Sequence, residues 1–169
     1  MDKTVINWAE DGTLEALTFD IGGETFALEA TLVREILDPL PVTHVPGSEP
    51  LVGAVVNFRG RVIPLADLRM AFGMAHTPPG PDARIVVIEI NLDDEPVLIG
   101  LSTDRVNEVT SLSRQDAEPP PELGLSWPRE NVRTMVRRAG DVLLVPDLVR
   151  IFGRCLKGAG DTADFALSA

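Results

Sequence analysis

Few residues in this chain are of the types that carry out acid–base or covalent chemistry. The sequence of 169 residues contains two histidines and one cysteine. His44 follows a short extended piece and His76 lies in a linker, so each is expected to be a solvated surface side chain. Cys155 could act as a nucleophile if a histidine reached it, but its surroundings favour a partly packed helix cysteine. The motifs of serine hydrolases, zinc proteases and nucleotide-binding loops are absent from the sequence, so no enzymatic activity and no cofactor are expected.

Three consecutive acidic residues, Asp93, Asp94 and Glu95, raise the question of a metal site. A cation would need further oxygen or imidazole ligands at suitable spacing. Neither a histidine nor another carboxylate follows at such a spacing. The sequence therefore predicts a solvated hairpin turn here, and no metal site.

Arg59 is better placed for recognition than for catalysis. It precedes Gly60 between two extended segments, and glycine tolerates the positive φ that a tight turn requires. A guanidinium at such a tip can fork onto a carboxylate of a partner. Glu35 is the natural intramolecular mate that would hold this fork in place. The alternatives are a solubilising turn charge for Arg59 and an ion pair of little worth for Glu35.

The segment that positions Arg59 occurs twice. Residues 52–73 are predicted to form a strand, a turn, a strand and a short helix that Asp67 caps and Gly73 ends. Residues 132–153 align with this segment without a gap and repeat its turn glycine, its capping aspartate and several apolar positions. A weaker similarity relates residues 26–36 to residues 99–109. Such repetition predicts two similar modules.

Composition agrees with a small protein rich in turns and short strands. Hydrophobic residues make up 44% of the chain, which also contains 14 glycines and 14 prolines. The net charge of −11 argues against binding to nucleic acid. There is no apolar run long enough to span a bilayer and no apolar leader near the N-terminus. A single cysteine permits a reducing compartment, and a cytoplasmic location is expected.

Other elements follow from local signals along the chain. Residues 1–13 are predicted to form a loosely docked arm with an exposed Trp8, and Gly22-Gly23 a hairpin turn. Pro64 within a strand predicts a sheet edge or a bulge. Residues 77–82 are the clearest linker, and residues 148–156 are predicted to form a terminal helix followed by a polar tail.

Several stretches together resemble the CheW-like chemotaxis coupling proteins. The most specific is VVNFRGRVIPLADLR at 55–69, and it is preceded by FDIGGETF at 19–26 and VREIL at 33–37. VIEI at 87–90 and GLSTDRVNEV at 100–109 follow it. The resemblance covers residues 14–153 and implies two intertwined, five-stranded SH3-like barrels, with a repeat boundary near 77–83. Residues 1–13 would form an arm, and residues 154–169 the helix end and tail.

The resemblance also implies a function. Members of the family are non-catalytic adaptors that bridge the cytoplasmic tip of a chemoreceptor and the regulatory domain of a CheA-type histidine kinase. Val33, Glu35 and Ile36 would then lie beside the groove between the barrels or at a barrel end that faces a partner. Asn57, Arg59 and Gly60 would form a hairpin that meets partners. Val33 and Ile36 could instead be core residues.

Three features depart from the family pattern. Thr134 stands where a glycine is usual, arginines cluster around it at 133, 137 and 138, and Ser102-Thr103 replaces apolar residues. These departures leave open a member that serves type IV pili or developmental signalling. Two alternatives from other classes remain, a sensor that binds a small ligand between the barrels and an enzyme whose site carries no recognisable motif.

Overall fold

The protein is described by a computed structural model over residues 5–158, with side chains described as far as residue 154. Within this range the chain forms twelve strands, several short 3₁₀ turns and one α-helix. The strands are β1 Thr13–Ile21, β2 Glu24–Glu29, β3 Val33–Leu37, β4 Thr43–His44, β5 Ala54–Phe58, β6 Arg61–Ala66, β7 Arg84–Leu92, β8 Glu95–Thr103, β9 Arg105–Ser113, β10 Ala117–Glu118, β11 Val132–Arg138 and β12 Asp141–Pro146, and the helix is α1 Leu148–Gly158.

The strands form two sheets that exchange one hairpin each. The first barrel has the strand order β3-β7-β8-β6-β5-β4, and the second has the order β10-β11-β12-β2-β1-β9. Four consecutive strands from one half of the chain thus combine with a hairpin from the other half. The outermost β4 and β10 are only two residues long, so each barrel has five longer strands. The predicted all-β fold of two SH3-like barrels is confirmed.

The repeat appears most clearly in the hairpins β5–β6 and β11–β12. Their turns are Arg59-Gly60 and Ala139-Gly140, and all four residues have positive φ, from 51° to 83°. Each hairpin leads into a helical segment, the 3₁₀ turn Leu68–Ala71 in one case and α1 in the other. The Asp67 carboxylate accepts the backbone N–H of Arg69 at 3.1 Å, which confirms the predicted helix cap.

Three apolar clusters account for the packing. The largest joins the two barrels and takes residues from several strands, from α1 and from the region of the 3₁₀ turn Leu68–Ala71, including Phe19, Phe26, Phe72 and Phe152. A smaller cluster fills each barrel, around Val56 and Phe58 in the first and around Ala16 and Leu143 in the second. The exchanged hairpins therefore bury both faces: in β7, Val86 and Ile88 face the shared cluster, whereas Ile85 and Val87 face the interior of the first barrel.

Three local predictions differ from the structure. Trp8 is half-buried and packs with Ile6 against the cluster inside the second barrel, so the prediction of an exposed side chain is wrong. β6 lies between β8 and β5, so Pro64 is not on an edge strand. Its pairing with β8 covers only Leu65 and Ala66, which places the proline outside that ladder. The acidic turn contains Asp93 and Asp94 alone, since Glu95 begins β8.

The end of the chain agrees with the prediction as far as it is described. The helix predicted at 148–156 is α1, which extends two residues further. The expectation of a partly packed Cys155 concerns a side chain outside the described residues, and most of the predicted tail lies there too.

Candidate functional site

The tip of the β5–β6 hairpin presents Arg59 to solvent. Arg59 has φ 51°, a left-handed conformation that is uncommon for a residue with a side chain. The Asn57 side chain supports this turn, because its Oδ1 accepts the backbone N–H of Gly60 at 3.0 Å. The three predicted tip residues, Asn57, Arg59 and Gly60, therefore form one hydrogen-bonded unit, and all three are exposed.

Arg59 and Glu35 form the predicted fork. Arg59 Nε donates to Glu35 Oε2 at 3.0 Å and Nη2 donates to Oε1 at 2.9 Å. The guanidinium also lies over the Phe58 ring, 5.5 Å from its centroid. The hydrogen bonds from Arg59 lower the pKa of the Glu35 carboxyl, and Glu35 in turn raises the pKa of Arg59. The Arg59 side chain remains 72% exposed, so the fork orients a cation that a partner can still reach.

The fork joins distant parts of one sheet. Glu35 belongs to β3, the outermost strand on one side of the first barrel, whereas Arg59 follows β5 near the other side. Phe58 and Leu37 lie in the cluster inside this barrel. The ion pair thus spans the barrel end above an apolar interior.

A β-bulge in β3 decides which way its side chains point. Val33 pairs with Ile88 and Glu35 pairs with Val87, so Arg34 is the extra residue. Because Val87 faces the barrel interior and Ile88 faces the shared cluster, Glu35 and Val33 point to opposite faces. Val33 packs against the shared cluster.

Ile36 lies on the same face as Val33, because it pairs with Val86. Its side chain is 43% exposed, so the core alternative for Ile36 is wrong. Val33, Glu35 and Ile36 thus divide between two surfaces, the margin of the shared cluster and the barrel end.

The second barrel repeats this arrangement with different residues. β9 has a bulge at the equivalent place, where Val106 pairs with Phe19 and Glu108 with Thr18. Val106 packs against the shared cluster and Val109 is 59% exposed. The weaker sequence repeat aligns Val106, Glu108 and Val109 with Val33, Glu35 and Ile36, and this alignment is the signal that could have identified them as candidate site residues.

The cation at the second end has a different position. Arg138 Nη1 donates to Glu108 Oε1 at 2.7 Å, whereas Ala139 occupies the turn position of Arg59. Each hairpin also carries an exposed valine after its turn, Val62 at 50% and Val142 at 37%. Each barrel end therefore combines a Glu–Arg pair with exposed β-branched side chains.

These features agree with a comparison to known proteins. The family model described as "CheW-like domain" matches residues 15–155. The chain belongs to this family. It is 27% identical over 142 residues to the chemotaxis protein CheW of Rhizobium meliloti, which covers 84% of this chain and 89% of that protein. It is 34% identical over 109 residues to CheW of Helicobacter pylori, covering 64% of each chain.

Two further relatives extend the comparison. Protein PilI of Pseudomonas aeruginosa is 35% identical over 88 residues, which is 52% of this chain and 47% of that protein. The crystal structure of the scaffolding protein TtCheW from Thermoanaerobacter tengcongensis superposes with a TM-score of 0.68 at 22% identity, covering 79% of this chain and 88% of that chain. This likeness supports the CheW-like fold.

The departures from the CheW-like pattern are accommodated locally. Buried Thr134 donates its hydroxyl to the Glu118 carbonyl at 3.0 Å, and buried Thr103 donates to the Arg84 carbonyl at 2.9 Å. Arg133 donates to Glu29 through both Nη atoms. The hydroxyl groups of both threonines are therefore satisfied inside the fold, as burial requires.

The described part of this CheW-like chain contains no group of three or more His, Cys, Asp or Glu residues placed to hold a metal ion. The His76 side chain is exposed, as predicted, and its Nδ1 lies 3.2 Å from Asp67 Oδ2. Among the described residues, no helix is long and apolar enough to cross a membrane.

A cleft of about 320 Å³ lies between α1 and three 3₁₀ turns, Pro50–Val52, Leu68–Ala71 and Arg129–Asn131. Its polar lining includes Asn131 and Arg154. Asn131 Nδ2 already donates to the Ala71 carbonyl at 2.8 Å, and Arg154 Nη2 lies 3.7 Å from Glu130. The Asn131 amide is thus already engaged by the protein, and neither buried unpartnered nitrogen of the described chain belongs to this lining, so the cleft does not specifically favour a small-ligand sensor.

Proposed function

We propose that this CheW-like chain is a non-catalytic adaptor that couples the cytoplasmic tips of chemoreceptors to a CheA-type histidine kinase. The observation that carries the proposal is that the bulged strands β3 and β9 contribute to two separate exposed surfaces, the barrel end and the margin of the shared cluster. The end of the first barrel presents Arg59, which Glu35 holds in place, and the margin presents apolar side chains. An adaptor needs separate surfaces of this kind to hold two partners at once.

The kinase regulatory domain would bind the end of the first barrel. Arg59 is oriented by Glu35 and yet 72% exposed, so it loses little conformational freedom when a partner carboxylate arrives. Exposed Val62 lies just past the same turn and supplies apolar area beside the cation. Interfaces commonly place such an arginine among apolar contacts.

The receptor tip would bind along the margin of the shared cluster. Val33 and Ile36 lie on this margin in the first barrel, and Val106 and Val109 occupy the equivalent places in the second. A receptor hairpin would bury the exposed parts of Ile36 and Val109, at roughly 25 cal/mol for each Å² of apolar area. Both partners and the adaptor would meet in the cytoplasm.

The test is binding to each partner separately. A purified receptor cytoplasmic fragment and a purified CheA regulatory domain are each immobilised and exposed to this chain. The proposal predicts saturable binding to both. Val109→Lys is expected to weaken binding of the receptor fragment alone, and Val5→Lys, at an exposed position in the arm, is the control. Binding to neither partner would refute the proposal.

A pathway that controls type IV pili is a second candidate, because the similarity to protein PilI reaches 35% identity over 88 residues. The two pathways can be separated by complementation. The gene is introduced into strains that lack either the flagellar coupling protein or the pilus coupling protein, and swimming and twitching are scored. Rescue of twitching alone would assign the chain to the pilus pathway.

A further inference from the structure

The chain passes from the first barrel to the second at a single residue, Asp104, which lies between β8 and β9. Its backbone N–H donates to the Asp20 carbonyl at 2.9 Å. Its Oδ2 accepts the backbone N–H of Gly22 at 2.8 Å. Asp104 is thus fixed to the β1–β2 turn of the second barrel.

Arg69 attaches this crossing point to the first barrel. It belongs to the 3₁₀ turn Leu68–Ala71, which follows directly after β6, and its residue is only 3% exposed. Arg69 Nη2 donates to Asp104 Oδ1. Nη1 lies 3.4 Å from Asp67 Oδ1, the carboxylate that caps the same turn. Arg69 and Asp104, which we call the clamp, therefore tie the two barrels together.

The repeat contains only one clamp of this kind among the described residues. The repeat partner of Arg69 is Val149, which is 38% exposed on α1. The other crossing, from β2 to β3, is the three-residue 3₁₀ turn Ala30–Leu32, and Leu32 packs against the shared cluster there. At the first crossing the Arg69–Asp104 pair joins the two barrels, whereas at the other crossing the Arg133–Glu29 pair lies within the second barrel and Leu32 packs against the shared cluster.

The energetics of the clamp point to a geometric role. Arg69 Nε is buried and has no hydrogen-bond partner within the described chain. An unsatisfied buried donor is destabilising, and buried ion pairs often add little to stability when compared with apolar residues of similar volume. The clamp is therefore better explained by the position that it gives to Asp104 and to the start of β9.

We propose that Arg69 is a positioning residue that sets the angle between the two barrels and, through it, the spacing of β3 and β9. Val106, two residues after the clamp, lies on the margin where the receptor would bind. This inference rests on the proposed function for its binding consequence. Receptor binding requires residues of both barrels, whereas binding of the kinase domain requires only the end of the first. Loss of the clamp should therefore weaken receptor binding selectively.

The test compares Arg69→Met with Arg133→Met. Arg133 is a matched control because its side chain is also buried, at 6% exposure against 4% for Arg69. It pairs with Glu29 of β2, and its Nε donates to the Pro146 carbonyl at 3.2 Å. Arg133, Glu29 and Pro146 all lie in the second barrel. Both variants therefore remove a buried guanidinium, but only the Arg69 guanidinium forms a contact between the barrels.

The direct measurement is a distance between the barrels. Spin labels are placed at Val62→Cys and Val142→Cys, which are exposed positions in different barrels, in a Cys155→Ser background. Pulsed electron spin resonance then reports the distribution of distances between them. Arg69→Met is expected to shift or broaden the distribution, and Arg133→Met is expected to leave it unchanged.

The binding measurement uses the receptor cytoplasmic fragment and the kinase regulatory domain. Arg69→Met is expected to lower receptor affinity by about tenfold more than kinase affinity, a typical size for coupling between sites. An unchanged distance distribution in Arg69→Met would overturn the inference, as would an equal loss of both affinities. If the unmodified chain bound no receptor, the proposed function would fail while the distance measurement still tested the clamp. Should Arg69→Met not fold, Asp104→Asn provides the same test, since its amide oxygen can still accept the Gly22 N–H.

Discussion

The two barrel ends have the same backbone but place their cation differently. The hairpins β5–β6 and β11–β12 each turn through two residues with positive φ. The strands β3 and β9 each carry a bulge that is followed by a glutamate. In the first barrel Arg59 occupies the turn itself and forks onto Glu35. In the second barrel Ala139 occupies the turn, and Arg138 reaches Glu108 from the position that corresponds to Phe58. The equivalent backbone places Glu35 and Glu108 at the same position of the two barrel ends. The residue types in and beside each turn determine where the paired arginine lies.

The barrel interiors differ as well. Ile85, Val87 and Leu98 line the first barrel. By the register of the repeat, the second barrel has Ala16 and Thr18 at the places of Ile85 and Val87. Smaller side chains leave space, and Ile6 and Trp8 of the arm pack into the same cluster. The second barrel thus completes its core with a segment that the first barrel does not need.

The largest expected effect is on the free energy of unfolding when a phenylalanine of the shared core is removed. Phe72 and Phe152 occupy equivalent positions of the repeat there, and both are buried. Phe72→Ala and Phe152→Ala each remove a buried ring, which costs about 3–5 kcal/mol of unfolding free energy. Phe72 should cost about 0.5–1.5 kcal/mol more, because its ring contacts Phe26 at 5.0 Å and Trp127 at 5.8 Å between centroids. Urea unfolding measures both, with Val149→Ala as an exposed control. A loss below about 1 kcal/mol for either phenylalanine would contradict the packing of its ring in the shared core.

A smaller effect is expected where the interiors differ. Trp8→Ala should lower the free energy of unfolding by about 1–3 kcal/mol, because a half-buried indole packs inside the second barrel. Val5→Ala, 76% exposed in the same arm, should change it little. If chemical denaturation gave the same stability for both variants and the unmodified chain, the arm would not be part of the core.

The two cations should differ in binding. Arg59→Glu is expected to weaken binding of the CheA regulatory domain by roughly tenfold or more, as expected for an interface arginine, and Arg138→Glu should weaken it less. The melting temperature of each variant should stay close to that of the unmodified chain, because exposed ion pairs add little stability. Isothermal titration and a thermal melt measure the two quantities. A large drop in melting temperature for Arg59→Glu would make Arg59 a structural residue instead.

The smallest effect concerns pH. The pKa of Glu35 is lowered in the folded chain, so its ionised form stabilises the fold above the pKa that glutamate has in the unfolded chain, near 4.3. That contribution is lost as the pH falls through the lowered folded value. The stability difference between the unmodified chain and Glu35→Gln should therefore be constant near neutral pH and shrink below about pH 4. A difference that grew on acidification would contradict the assignment.

Local signals explain how much of the fold could be predicted. The segment 52–73 carries a turn glycine, a capping aspartate and alternating apolar residues, so its hairpin and helical turn were predicted correctly. The intertwined arrangement came only from the family resemblance, because a repeat says that two modules are similar and not which hairpin fills which barrel.

The remaining differences depend on tertiary packing. The bulge at Arg34 reverses the faces of β3, so a count of alternating residues could not place Ile36. The burial of Trp8 could not be predicted, because the cluster that it packs against is assembled from β1 and from distant strands, including Leu112 and Leu143. The Arg59–Glu35 fork was foreseen from residue chemistry alone, whereas its counterpart was missed because its cation had moved by one position.

The most direct test of the central claim is whether one molecule of this chain holds both partners. The receptor cytoplasmic fragment and the CheA regulatory domain are mixed with and without the chain and analysed by size-exclusion chromatography with light scattering. The proposed function predicts a complex with the mass of all three components, formed only when the chain is present. Two separate binary complexes, with neither partner able to bind while the other is bound, would contradict it.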